Sequence, residues 1–403
     1  MTNASALRTK ILHDSRPALW RLLSRHSLWD EETATLWVDL TPFDSKLQPV
    51  AIPGWERMLT WHGETPELPA WAVLAWPNTP AVHAWRRQIP AWVRDTLQRL
   101  PNKGQLRLLF LSARYPQMLE LLDKMPVLAW RLANANMDEH QLEQLFPRPR
   151  TDMTGLIGWP EDRRAIRFLQ KLRLRSMDEQ MLQQIDTCLA DPTIYHRATE
   201  LPRINSMALT LAANFPQLIG SQLHQSLARQ PCRPQQCQQM KALLQDAIEL
   251  ANWLGESLDP IKSSRFLVEV EEIHTKWLQK GLKRLKTRAE QSGQKMPIEK
   301  VGDPPPLPAG WQLIRSLHAC NALCQTTGHA WFTQTTGLIV RPRDKTTPWA
   351  AQIDFIDGHW QLGKGRQAGN RLLDSEQLAQ CNLLLTYLNA HSSPTATASP
   401  SPD

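Results

Sequence analysis

The sequence predicts an α+β protein with a mostly α-helical middle region, a small antiparallel-sheet α/β domain near the C-terminus and a short β-containing N-terminal region. Three observations carry this. Apolar residues recur at three- and four-residue spacing through residues 81–288, the mark of helices with one buried face. Residues 349–363 alternate around an Asp357-Gly358 pair, the mark of a hairpin. Residues 34–41 and 70–76 are short β-prone runs bounded by Pro and Gly.

Taken in order, residues 16–27 form a short helix with Leu19, Leu22 and Leu23 on one face and Arg21 and Arg25 on another. The strand region then spans about 34–76 and is rich in tryptophan, with Trp55, Trp61, Trp71 and Trp76. Prolines from Pro90 to Pro260 punctuate the middle, because proline lacks an N–H and clashes with the preceding turn. Helices are expected over 106–125, 162–175, 178–190, 203–229 and 234–255. In 264–288, Leu267, Val270, His274, Trp277, Gly281 and Leu285 share a stripe, with acidic residues first and basic residues last, as the helix dipole favours. Residues 311–326 read as a helix and 337–341 as a strand. In the hairpin arm, Trp349, Ala351, Ile353 and Phe355 alternate with Gln352 and Asp354, which predicts one buried and one wet face. Asp374 is an expected N-cap of a final helix.

The resulting segmentation is 1–100, a Trp/Pro-rich region with short strands; 101–290, a helical domain; 291–309, a Pro-rich linker; 310–391, a small α+β domain; and 392–403, a disordered Ser/Thr/Pro/Ala tail. The chain has 403 residues, with 42% apolar and 21% charged, within the usual range for a globular protein. No apolar run is long enough to span a bilayer and the first ten residues lack the apolar core of a secretory signal, so no membrane association and a cytoplasmic location are expected. Six irregularly spaced cysteines suit free thiols rather than a disulfide framework. The net charge of +7 tilts the chain toward polyanions. Seventeen tryptophans suggest cores or partner surfaces, and a protein partner is expected at the Trp-rich N-terminal region.

Three stretches resemble the PcfJ-like family, which is named after a protein of conjugative plasmids: DAIELANWLG at 246–255 followed by a helix carrying His274; LIVR at 338–341 with WAAQIDF at 349–355; and WQLGKGR at 360–366 with Asn370. The helical middle, including LPRIN at 201–205, is compatible. The resemblance reaches from about residue 105 to 391 and implies an architecture and a link to mobile genetic elements more than a reaction. The family's Glu-Gly and His/Asn-Cys-Val segment is absent from the corresponding LHACNALCQTTGHAW at 317–331.

Candidate chemistry is limited. His318, Cys320, Cys324 and His329 make the only Cys/His cluster, and Cys320, Cys324 and His329 are the candidate metal ligands, although their spacing fits no common zinc pattern and packing of the thiols is the simpler expectation. Asp354 with Lys364 is the candidate catalytic pair of a divergent metal-dependent nucleic-acid enzyme, but Gln361 stands where a second carboxylate is needed. The Gly363–Arg371 stretch could wrap a phosphate, with Lys364, Arg366 and Arg371 adding charge. Arg163, Arg164, Arg167, Lys171, Arg173 and Arg175 form one basic stripe, and Lys276, Lys280, Lys283, Arg284, Lys286 and Arg288 another. A solvated face is the plain alternative for each. No nucleophile elbow, zinc-protease, Rossmann or kinase motif appears, and no cofactor is expected. The leading expectation is a non-catalytic protein binding nucleic acid or a nucleoprotein partner through Arg163, Arg164, Arg167, Lys171, Arg175, Lys280, Lys283, Arg284, Lys286, Lys364, Arg366 and Arg371. The alternatives are the divergent enzyme and a protein scaffold.

Overall fold

In the computed structural model, residues 3–14, 16–63, 66–135, 137–292, 306–334, 336–344 and 348–391 are described. The greater part of the expected linker and the whole of the expected tail, residues 293–305 and 392–403, lie outside the described residues. The chain is α+β, with two small antiparallel sheets among many helices. It divides into two compact units, one comprising Met1–Gly220 with Ala228–Cys232 and the other Ser221–Leu227 with Arg233–Asp403. Among the described residues no helix is long and apolar enough to cross a membrane.

The first unit opens with α1 (Asn3–His13) and α2 (Pro17–Arg25), then β1 (Ser27–Asp30), β2 (Thr35–Val38) and β3 (Val50–Pro53) in one meander. After α3 (Trp55–Leu59) come α4 (Pro80–Gln88), α5 (Ala91–Leu97), α6 (Gln105–Arg114), α7 (Pro116–Lys124) and α8 (Pro126–Asn134). They are followed by α9 (Glu139–Leu145), α10 (Arg150–Leu156), α11 (Arg163–Lys171), α12 (Glu179–Ala190), α13 (Pro192–Ala198) and α14 (Ser206–Asn214). The expected helix over 106–125 is two helices. Pro116 is the first residue of α7, a position where its missing N–H costs nothing, so the chain turns there.

Residues 70–76, read as a strand from composition, instead make an irregular segment with a 3₁₀ turn at Val73–Ala75. Side chains satisfy its backbone in place of a ladder: the Arg86 guanidinium donates to the carbonyls of Val73 and Trp76. The tryptophans are largely consumed by this core. Trp20, Trp55, Trp71, Trp76 and Trp85 are buried, and the indole N–H groups of Trp71 and Trp85 donate to the carbonyls of Ile11 and Pro53 at 2.9 and 3.0 Å.

Helix α15 (Gln222–Arg229) joins the two units in sequence. The second unit contains α16 (Pro234–Leu254), α17 (Asp259–Ser263) and α18 (Leu267–Ser292), then β4 (Trp311–Leu313), α19 (Leu317–Thr327), β5 (Leu338–Pro342), β6 (Trp349–Ile356), β7 (His359–Gln367) and α20 (Ser375–His391). The strands pair antiparallel in the order β4-β5-β6-β7. The helix expected over 311–326 starts late, because Trp311–Leu313 pairs with Val340–Pro342 and Ser316 then caps α19 by accepting the Ala319 N–H at 3.1 Å. The Asp357-Gly358 turn has positive φ at both positions, 51° and 80°, as a type I′ turn requires.

One face of this sheet carries Trp349, Ala351, Ile353 and Trp360, packed against Cys381, Leu384 and Leu388 of α20. The opposite face was expected to be wet and is not. Ala350 and Gln352 are buried there, together with Arg366, the cross-strand partner of Ala350. The turn-proximal part of that face is open, with Asp354 half-buried and Ile356 and Gln361 exposed. Covered on both faces, this sheet can hold polar side chains out of water.

Candidate functional site

The covered face of the second sheet meets α16, and the contact is ionic. Asp246 lies three residues after Leu243 and four before Leu250, both buried, so its carboxylate projects from the apolar side of α16. Arg366 reaches it from β7. Its Nε donates to Oδ2 at 2.9 Å and its Nη2 to Oδ1 at 3.1 Å, a two-pronged match of fork to carboxylate. Asp246 is 2% exposed and Arg366 is 4% exposed. One turn along α16, Glu249 binds the Lys364 ammonium and accepts from Gln334 Nε2 at 3.3 Å. The two cations facing α16 on β7 thus each find a carboxylate there.

Two histidines complete the cluster. Gly328 ends α19 in the left-handed region, at φ 73°, and delivers His329 into the interior. His329 Nδ1 lies 3.2 Å from Asp246 Oδ2, within ion-pair reach but without hydrogen-bond alignment, and its ring stands edge-on to Trp331. Burial works to raise the Asp246 pKa, but His329 and Arg366 outweigh it and hold the carboxyl well below the usual range. His274 sits in the apolar stripe of α18 and is 3% exposed. Burial lowers its pKa to about 4, against the pull of Asp246 and with the help of His329 and Arg366, so the ring is neutral at pH 7. Among the described residues its Nε2 has no hydrogen-bond partner, nor has His329 Nε2 or Asn370 Oδ1.

His274 and Asn370 line one cavity of about 340 Å³, with Thr275 and Gln279 of α18 and Gln239 and Leu243 of α16. Asn370 is held there by its backbone. It adopts a left-handed conformation at φ 55°, which asparagine tolerates better than most residues, and its carbonyl accepts from Gln239 Nε2 at 3.5 Å.

The residues singled out from sequence fall in different places. Of Gly363–Arg371, read as a phosphate-wrapping stretch, Gly363–Gln367 belongs to strand β7, where Lys364 and Arg366 are tied to Glu249 and Asp246. Arg371 is exposed, with its Nε donating to the Ala368 carbonyl at 3.2 Å. Asp354 accepts from Gln352 Nε2 at 2.8 Å and is wedged between Gly337 and Gly363, where a Cβ would fall 2.2 and 2.0 Å from its carboxylate oxygens. Lys364 faces Glu249 rather than Asp354. Cys320 and Cys324 are buried one turn apart on α19, and a hydrogen bond with Cys324 together with burial pushes the Cys320 thiol up. His329 instead approaches Asp246. Among the described residues no group of three His, Cys, Asp or Glu side chains is placed to hold a metal ion.

The basic stripes survive in part. Arg163, Arg164, Arg167, Arg173 and Arg175 are exposed, with Arg164 Nη1 3.0 Å from His196 Nδ1, while the Lys171 ammonium donates to the carbonyls of Thr199 and Leu201. On α18, Lys280 pairs with Glu256, and Arg284 Nη1 donates to the Leu254 carbonyl at 2.9 Å, closing the C-terminus of α16. Lys276, Lys283 and Lys286 are exposed, and among the described residues no carboxylate lies within ion-pair distance of them.

Asp246, Glu249, His274 and Asn370 were not singled out as site residues. A signal for the first and third was present: each is an ionisable residue at an inward helical position, Asp246 between Leu243 and Leu250 and His274 between Val270 and Trp277. No family model, no curated protein and no solved structure matches the chain.

Proposed function

We propose that this chain is a non-catalytic, PcfJ-like protein that binds nucleic acid through the exposed basic faces of α11 and α18. The observation that carries the reading is the set of exposed cations without carboxylate partners among the described residues: Arg163 and Arg167, four residues apart on α11, and Lys276, Lys283 and Lys286 on α18. A helix rises about 1.5 Å per residue, so the three lysines span roughly 15 Å, enough to follow several phosphates. The net charge of +7 adds long-range attraction. Lys364 and Arg366 drop out of the contact set, since each is committed to a carboxylate of α16.

The family reading draws support from a convergence. The stretches on which the resemblance rests contribute Asp246, His274, Arg366 and Asn370, which come together around one buried cluster and its cavity. A function connected with mobile genetic elements is part of the same proposal.

The test is binding of the purified protein to labelled single- and double-stranded DNA and RNA across a salt series. Affinity should fall steeply with salt. The triple change Lys276→Glu, Lys283→Glu, Lys286→Glu should weaken it and reduce the log–log salt slope by about 2 to 3, at roughly 0.7–0.9 per lost phosphate contact. Unchanged binding and slope would remove α18 from the contact surface, and the pair Arg163→Glu, Arg167→Glu tests α11 in the same way.

A further inference from the structure

The α18 cavity combines features that a bare anion site would not. Two residues of its lining carry buried polar atoms that have no partner among the described residues, an imidazole nitrogen, His274 Nε2, and a carbonyl oxygen, Asn370 Oδ1. An anion would face the lone pairs of Asn370 and the carboxylate of Glu271, which also lines the space. Neither nearby guanidinium lines the space: Arg366 is neutralised by Asp246, and the Arg371 Nε donates to the Ala368 carbonyl. The remaining polar lining is amide, hydroxyl and thiol: Gln239, Gln279, Gln325, Thr275 and Cys324. Leu278 and Leu282 supply an apolar wall.

We propose that this cavity binds a single nucleobase, read along its edge by Asn370, His274 and the glutamines and packed flat against the leucines. Amide side chains that both donate and accept match the mixed donor and acceptor edge of a base, and bases taken out of a stack are held by edge hydrogen bonds and apolar or aromatic walls. His274 is neutral at pH 7, so one of its ring nitrogens donates and the other accepts. A volume of about 340 Å³ stands at the low end of ligand pockets, which run from roughly 300 to 1,000 Å³ and so favours one heterocycle over a stacked pair.

Placement on α18 links the cavity to a strand. Lys276 and Lys283 stand three residues before and four after Gln279, so they are its neighbours on the helix surface. Two exposed ammonium groups therefore flank a lining residue, where the phosphates on either side of an inserted base would lie. The source of the base, a strand or a free nucleoside, is the part of the proposal that rests on the nucleic-acid reading.

The experiment compares three probes on the full chain at low salt: a single-stranded oligonucleotide, an abasic strand of the same length, and free nucleosides followed by tryptophan fluorescence. The base-bearing strand is expected to bind about tenfold or more tightly than the abasic strand. Gln279→Trp, at an exposed position that fills the mouth without touching the buried cluster, should abolish that difference and leave abasic binding in place. Equal, salt-steep binding of both strands overturns the base site and leaves the polyanion reading standing. If neither strand binds but nucleosides do, and Gln279→Trp blocks them, the cavity takes free nucleoside and the strand reading fails. Silence from all three probes overturns the proposal.

Discussion

Asp246→Asn tests whether the ionic cluster is a structural keystone of the second unit. The change keeps the shape of the side chain and removes its charge. Arg366, 4% exposed and hydrogen-bonded through two nitrogens to that carboxylate, is left as a buried cation without a counter-charge. Removing one partner of such a pair costs about 3–5 kcal/mol, because the survivor bears the whole desolvation cost. With a urea dependence near 2 kcal/mol per molar, a loss of 4 kcal/mol moves the unfolding midpoint down by about 2 M. The assay is urea unfolding followed by far-UV circular dichroism and tryptophan emission. Replacing both members, Asp246→Asn with Arg366→Met, should recover most of the loss, since no uncompensated charge remains. A midpoint shift below about 0.5 M for the single variant, or a double variant no better than the single, would refute the reasoning.

Three further outcomes are expected. Because the folded-state pKa of His274 is depressed to about 4 from 6.5, the unfolded chain takes up the proton first; stability is full above pH 6.5 and falls by about 3 kcal/mol as pH drops from 6.5 to 4. His274→Gln should flatten that limb of a pH series of urea midpoints, and an unchanged limb would assign it elsewhere. Gly281→Ala should destabilise by about 1–2 kcal/mol despite the better helix propensity of alanine, because the new Cβ would fall 2.5 Å from the Phe332 ring, itself packed on Trp253; a stabilised variant in thermal unfolding would show that the ring yields. All six cysteines are buried, and burial pushes the Cys188 thiol up to about 12 and the Cys381 thiol up to about 11; an aromatic disulfide reagent should therefore titrate no thiol until denaturant is added.

What was legible in the sequence is what local physics decides. The Asp357-Gly358 turn and the Asp374 cap that accepts the Gln377 N–H at 2.9 Å are both settled within four residues. What was hidden depends on partners far along the chain. Gln352 and Asp354 alternate with apolar neighbours as any half-wet strand would, and only the packing of α19 on β6 and the binding of α16 to β7 turn that face into an interior. The Lys364–Arg366 segment read as a basic loop for the same reason: its counter-charges, Asp246 and Glu249, sit 120 and 115 residues away. The ionic cluster and the cavity beside it were legible only as anomalies, an aspartate and a histidine where helical spacing asked for leucine.

The outermost strand of the second sheet has a consequence for how copies of this chain behave at high concentration. A nine-residue strand at a sheet margin is a template for another chain, since half of its peptide groups point away from the sheet. Here the Asn389 side chain of α20 accepts the Trp360 N–H at 2.7 Å and donates to the Trp360 carbonyl at 3.0 Å, imitating the strand that would otherwise dock. At the far end the Gln367 N–H is taken by the Arg371 carbonyl, and a bulge opposite Gln352 and Ile353 bends what lies between. A second molecule would have to displace an amide clasp at one end and unfold a turn at the other before adding its first hydrogen bonds, so fibre-like growth from this margin is blocked.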